Sequence, residues 1–275
     1  MRFAVNYSTK AGDLVKAGKI DCDLFKCPEW DGLLKAATAI KPIYLHLDIT
    51  LGRDQLQKLD FDRLKQMLVE TATPHVNCHL VATPELKIGN KTDRKKLLKQ
   101  WVKELEVLKR EFAGYPVISE NLPFEPPIPE YHLASDAELI SKAILETDTG
   151  LLLDISHARI TADTLRINCQ EYVEKLPLDR LHELHITGVR RYHGFLEDHF
   201  EMQPEDWSSA EWAAEQIRVG EWREPEIVAF EYGGVGERFS WRTETWALEE
   251  QVPRLFKLFC GNKLGRLHTH NNPRF

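Results

Sequence analysis

Residues 151–160 read LLLDISHARI, and the reading of this stretch decides the fold. Three consecutive leucines follow Gly150 with no polar alternation. Such a run suits a strand covered on both faces, as in a parallel sheet flanked by helices. The run ends in Asp154-Ile155-Ser156-His157. A carboxylate and an imidazole three residues apart, where a buried strand emerges, offer one cation a hard oxygen and a borderline nitrogen. The same residues have a plainer use, with Asp154 capping the next helix and His157 on the surface. The stretch alone leaves both readings open. The first gains weight because apolar strands ending in His or Glu recur along the chain.

Upstream, residues 3–7, 23–26, 43–47, 75–80 and 116–120 read as strands. Downstream, residues 181–186 and 227–231 do the same. Helical patterns fall between them. One covers residues 61–71, and a longer one covers residues 92–112, where Leu97, Leu98, Trp101, Val102, Leu105 and Leu108 keep helical spacing. Strand and helix alternate eight times with no composition break. This predicts a single-domain α/β fold, a closed (β/α)8 TIM barrel over residues 1–260 with a polar tail at 261–275. An open doubly wound sheet is the alternative, but no Gly-x-Gly-x-x-Gly follows the first strand. Two long loops are expected, a proline-rich one at 121–131 and a second at 187–204.

The 275 residues fit one such barrel, and a hydrophobic fraction of 43% supports a sizeable core. A net charge of −7 argues against a basic nucleic-acid footprint, so nucleic acid is an unexpected partner. The first ten residues, MRFAVNYSTK, do not read as a secretion signal, and no run is long enough for a membrane span. Five scattered cysteines without a Cys-x-x-Cys pair read as reduced thiols, and a cytoplasmic location is expected.

In a barrel of this kind the chemistry sits at the carboxyl ends of the strands. There the sequence offers His46, His79, Glu120, Asp154, His157, His185, Glu197, His199 and Glu231. Burying so many ionisable groups round one mouth is costly unless a cation compensates them. Five such ligands satisfy one ion, and nine predict two or three. His75 and His182 share these strands but are expected to be structural. His268 and His270 in the tail are not expected to bind metal. In the loop after the seventh strand, Arg190, Arg191 and Tyr192 are candidate contacts for a substrate carboxylate or phosphate. Phe124, Tyr131, Phe195 and Trp207 are the other aromatics expected near the mouth.

The order His, His, Glu, Asp-x-x-His, His, acid-x-His, Glu resembles the ligand order of the xylose isomerase-like barrel superfamily in its multinuclear form, seen in endonuclease IV. Local wording is similar to that of the multinuclear non-haem iron-dependent oxidative enzymes, which modify cysteine-containing peptides: SENL at 119–122, LLLD at 151–154, LHELHITG at 181–188 and FEY at 230–232. The likeness covers roughly residues 43–232. It implies one metal on His46, His79 and Glu120. Glu120 would bridge to a second, held also by Asp154, His185 and Glu231, and His157, Glu197 and His199 would hold a third. The family usually has Asp where Glu197 stands, which makes the third site the least secure.

Iron is the metal the resemblance favours, with zinc or manganese as alternatives on ligand chemistry. Oxidative modification of a peptide or small thiol is the leading expectation. A sugar isomerase or epimerase comes second and an endonuclease IV-like phosphodiesterase third, with a metal-binding scaffold as the non-enzymatic reading. The partners expected are a small-molecule or peptide substrate and a protein that presents it.

Overall fold

The computed structural model describes residues 1–237 and 239–261. His268 and His270 lie outside the described residues. Nine segments make one parallel sheet: β1 (Arg2–Asn6), β2 (Leu24–Cys27), β3 (Ile43–Leu45), β4 (Thr50–Leu51), β5 (Val76–Leu80), β6 (Val117–Glu120), β7 (Gly150–Asp154), β8 (Leu181–Ile186) and β11 (Ile227–Phe230). A separate antiparallel ribbon, β9 (Gly188–Tyr192) and β10 (Phe195–Phe200), follows β8.

The strand order is β3-β2-β1-β11-β8-β7-β6-β5-β4. Its two ends, β3 and β4, are successive pieces of one chain segment, so the sheet curls until its edges meet. The seam is sewn partly by a side chain. Asn77 on β5 accepts from the Leu47 backbone N–H at 2.8 Å and donates to the Leu47 carbonyl at 3.0 Å. Beyond it the His79 and Val81 amides donate to the carbonyls of Ile49 and Leu51. The third strand is thus split: it leaves regular pairing at His46, and this irregular corner frees His46 to turn into the mouth.

Helices α1 (Thr9–Lys16), α2 (Asp31–Thr38), α3 (Phe61–Glu70), α4 (Lys91–Glu111), α5 (Pro129–His132), α6 (Ala137–Thr147), α7 (Ile155–Leu165), α8 (Cys169–Val173), α9 (Pro204–Val219) and α10 (Thr245–Cys260) connect the strands. Side-chain caps start several of them, among them Ser8, Asp60, Asn90 and Asp136. On α4 the residues Leu97, Trp101, Leu105 and Leu108 are buried, the inward face that the helical spacing predicted. Each such side chain stabilises the fold by about 1.5–3 kcal/mol on burial. All five cysteines are free thiols.

The segment after β8 departs from expectation. Residues 187–204 read as loop, yet β9 and β10 form a hairpin. Its turn is His193-Gly194, with φ of 48° and 89°. Two residues at positive φ are what a type I′ turn requires, and that conformation matches the twist of the flanking strands. Gly188 opens the ribbon because an added Cβ would stand 2.0 Å from the Glu201 carbonyl oxygen.

Candidate metal centre

The strand register brings the ligands into line. His79 on β5 pairs with Glu120 on β6, and Asp154 on β7 pairs with His185 on β8. Glu120 itself pairs with Leu152, two residues before Asp154, so the four stand at the carboxyl ends of adjacent strands with a two-residue step between the pairs. Glu231 follows directly on β11, and its backbone N–H donates to the Ile186 carbonyl. Three groups of side chains result, in each of which one ligand atom per residue lies within 4.8 Å of the others. They are His46, His79 and Glu120; Glu120, Asp154, His185 and Glu231; and Asp154, His157 and Asp198. Glu120 belongs to the first two and Asp154 to the last two, so the groups form one continuous chain.

The atoms facing one another here satisfy one another only in part. The Nε2 atoms of His46 and His79 are 3.1 Å apart, and Glu120 Oε2 is 2.9 Å from His79 Nε2. His185 Nδ1 is 3.4 Å from Glu120 Oε1 and 3.3 Å from Glu231 Oε2. Glu120 Oε2, Asp154 Oδ2 and His185 Nδ1 are buried with no hydrogen-bond partner among the described residues. Leaving several buried acceptors unpaired at one point costs about 1–3 kcal/mol each, and more for charged groups. Oxygen and nitrogen donors converging with several of them unpartnered fit a metal ion, and the residues present could hold one in each group.

The supporting contacts explain the aim of each ligand. Asp154 fulfils both of its readings: Oδ1 accepts from the amides of Ser156 (2.7 Å) and His157 (2.8 Å), capping α7, while Oδ2 faces the centre. Asn121 ties the ends of β6 and β7 together, accepting from the Asp154 amide at 2.8 Å and donating to its carbonyl at 2.9 Å. The Asn121 carbonyl also accepts from His157 Nδ1 at 2.9 Å, which turns Nε2 toward Asp198 Oδ2, 2.9 Å away. His199 Nδ1 donates to the Gly233 carbonyl at 3.0 Å.

The third group corrects the sequence reading. Glu197 is not in it. Its carboxylate pairs with the buried Arg242 guanidinium, and Arg242 Nη1 donates to the Asp198 carbonyl at 2.7 Å. Asp198 stands in the third group instead. The cause is a bulge: the β9–β10 register shifts between Glu197 and Phe200, and His199 sits at φ 60°. A bulge inserts a residue and re-aims its neighbours, so Asp198 turns inward and Glu197 turns away. His199 lines the same cavity but is in none of the three groups.

Electrostatics follow the burial. Burial pushes the Glu120 carboxyl up, but His185, His79 and His46 outweigh it and hold it well below the usual range. Burial, joined by the Lys26 charge, holds His46 well below ordinary histidine, so it is neutral. Burial lowers His199 to about 4. His157 goes the other way, because Asp154 and Asp198 overcome its burial and raise it to about 10.

The sequence reading missed three residues. Lys26 on β2 is buried and contacts Glu231 Oε1. Glu183, two residues before His185 on β8, is buried beneath the centre. Arg242 holds the bulge. An apolar-looking strand containing a charged residue at an inward position was the available signal for the first two.

A cavity of about 510 Å³ opens above the groups. Its walls include Tyr7, Trp30, Tyr131 and Phe239 beside the ligands. Arg190, Arg191 and Tyr192, the expected substrate contacts, do not line it. Arg190 pairs with Glu201 and Asp206, Arg191 with Asp163, and Tyr192 packs on Phe200 and Trp241. Of the other expected aromatics, Tyr131 lines the cavity, while Phe124 stacks on His132 and Trp207 packs under Arg254.

Solved structures share this architecture. A xylose isomerase-like TIM barrel/4-hydroxyphenylpyruvate dioxygenase fusion protein superposes with a TM-score of 0.60 at 15% identity, covering 99% of this chain and 45% of that one. An AP endonuclease, family 2, from Brucella melitensis gives 0.53 at 15% identity, covering 86% and 94%. These likenesses show the TIM-barrel fold. In sequence, a UPF0276 protein of Acaryochloris marina is 27% identical over 185 residues, 64% of this chain, which in turn spans 66% of that relative's length. The family model for the RiPP precursor modification enzyme MbnB/TglH/ChrH matches residues 29–218, a segment that runs from just after β2 into α9 and includes every residue of the three groups but Glu231. The chain belongs to the MbnB/TglH/ChrH family of RiPP precursor modification enzymes.

Proposed function

We propose that this chain is an iron-dependent oxidative enzyme that modifies a ribosomally made peptide at a cysteine, with dioxygen as oxidant. The observation that carries the metal-dependent part is the chain of three groups sharing Glu120 and Asp154, with buried donor atoms that nothing among the described residues satisfies. The choice of iron and of a cysteine peptide rests on the likeness in local wording to iron-dependent peptide-modifying enzymes and on the family. Bound iron supplies the electron removal and oxygen activation that no side chain of this protein offers.

The chain's own residues do the rest. Glu120 and Asp154 carry negative charge between neighbouring groups and hold them at a fixed separation. Trp30, Tyr131 and Phe239 wall a cavity whose volume, about 510 Å³, suits a side chain with its flanking backbone rather than a folded domain. Among the described residues, Lys26 is the single Lys or Arg in that lining, and it is committed to Glu231. A phosphate backbone needs free cations, so the endonuclease reading loses support. The acidic, aromatic walls suit an uncharged or cationic peptide segment. No described helix is long and apolar enough to cross a membrane.

The test uses the full chain loaded with ferrous ion and incubated in air with short cysteine-containing peptides, read by mass spectrometry. The proposal expects a mass change that needs iron, air and the peptide cysteine, and that disappears when the cysteine is replaced by serine. A change of equal size with zinc, or none with any cysteine peptide at full iron loading, contradicts it.

A further inference from the structure

Beneath the ligand groups lies a second set of buried polar side chains that the metal reading leaves without a use. Glu183 on β8 is 1% exposed. Its Oε1 accepts from the Tyr44 hydroxyl at 2.7 Å and from His185 Nε2 at 2.7 Å, and its Oε2 accepts from His75 Nε2 at 2.5 Å. The three donors stand on or beside three strands, β3, β5 and β8. We infer that Glu183 is a positioning residue that dictates which nitrogen His185 offers to a cation and makes the central group of ligands the tightest of the three. The inference rests on the metal-centre reading above.

Glu183 and His185 are two residues apart on one strand, so both point into the barrel, one above the other. With its Nε2 proton given to Glu183, His185 must present Nδ1. That atom is the one 3.3 Å from Glu231 Oε2 and 3.4 Å from Glu120 Oε1, buried and without a hydrogen-bond partner. A carboxylate on the far nitrogen fixes the tautomer and ring plane and raises the basicity of the nitrogen that binds. The other imidazoles lack this support. His157 leans on a neutral carbonyl, that of Asn121. The Nδ1 atoms of His46 and His79 are buried with no partner among the described residues. The central group also has three carboxylates, Glu120, Asp154 and Glu231, against one in the first group.

The test follows ion release from the full chain. Wild type, Glu183→Gln and Tyr44→Phe are loaded with ferrous ion without oxygen and dialysed against graded chelator. Bound metal is counted by elemental analysis, and melting is recorded for each metal-free protein. Wild type should keep one ion after the others have left. Glu183→Gln should lose that last ion at about 10–100-fold less chelator, the usual cost of removing such an outer partner. Tyr44→Phe, which leaves the His185 bond intact and removes one donor to Glu183, should shift the same step by less. Release of the last ion at the wild-type chelator concentration in both variants overturns the inference. So does a parallel loss of all ions tracking a fall in metal-free melting temperature, the signature of a merely structural residue. A wild type that binds no ion overturns the metal-centre reading together with this one; an ion-binding wild type with unchanged variants overturns this one alone.

Discussion

Two parts of the candidate centre are built differently. His79, Glu120, Asp154 and His185 stand at the carboxyl ends of adjacent parallel strands, where backbone pairing fixes their positions. Asp198 stands on a bulged hairpin that hangs over the mouth. The first set is held by the barrel itself, with Glu120, Asp154 and His185 buried. The second depends on one arginine, since Arg242 pairs with Glu197, donates to the Asp198 carbonyl and lies 4.3 Å over the Phe200 ring. A strand end can place a ligand by pairing alone, whereas a hairpin must be pinned by its side chains. The strand-borne groups should therefore be rigid and tolerant of nearby surface change. The hairpin-borne one should be the easiest to detach.

The largest effect should come from breaking the part shared by two strand-borne groups. Glu120→Gln keeps the shape of the side chain and removes the anion that the first two groups share. Metal content should fall in both groups at once, and activity should drop by at least about a hundredfold, more than removal of an outer partner costs. Loss of one ion with near-normal turnover would show that Glu120 does not bridge.

Next comes the contrast within the hairpin. Asp198→Asn should weaken one ion by at least about tenfold, leaving the others in place. Glu197→Gln should act only through Arg242, loosening the bulge with a smaller loss of the same ion. Equal or reversed effects in a metal titration would return the ligand role to Glu197.

A third difference concerns the metal-free protein. His157 titrates at about 10 there, above the ordinary value of 6.5. A raised folded-state value means stability that is fully present below about pH 6.5 and lost as pH climbs toward 10. The metal-free chain should therefore melt at progressively lower temperature from pH 7 to pH 10, and His157→Gln should flatten that slope. An unchanged slope in the variant would show that His157 does not hold its proton between Asp154 and Asp198. The smallest effect is expected at Arg191, which pairs with Asp163 on the surface: Arg191→Ala should leave stability and turnover within about 0.5 kcal/mol of wild type.

The same contrast explains what the sequence reveals. Alternating strand and helix patterns, the triple leucine before Asp154 and the placement of His or Glu at strand ends need only local periodicity. The barrel and the strand-end cluster of His, Asp and Glu side chains were legible from them. His46 was legible too, although the seam that frees it depends on Asn77, a long-range contact. Glu197 and Asp198 are adjacent acids, and choosing between them needs the bulge, which is set by a turn at His193-Gly194 and a guanidinium 45 residues away in sequence. Arg190 and Arg191 looked like free cations at the mouth because their carboxylate partners Glu201, Asp206 and Asp163 come from other elements. Lys26 and Glu183 were hidden inside strands, where a charge is readable as functional only once its buried partner is known.

The central claim is that side chains from six strands and one hairpin converge to bind several ions through shared carboxylates. A crystal structure of the iron-loaded chain, with anomalous scattering recorded at the iron edge, tests it most directly. The account predicts ions at His46–His79–Glu120 and at Glu120–Asp154–His185–Glu231, and a further one at Asp154–His157–Asp198, with Glu197 still on Arg242. An absence of anomalous peaks in these groups at full iron loading, or a single ion bound away from Glu120, would contradict it.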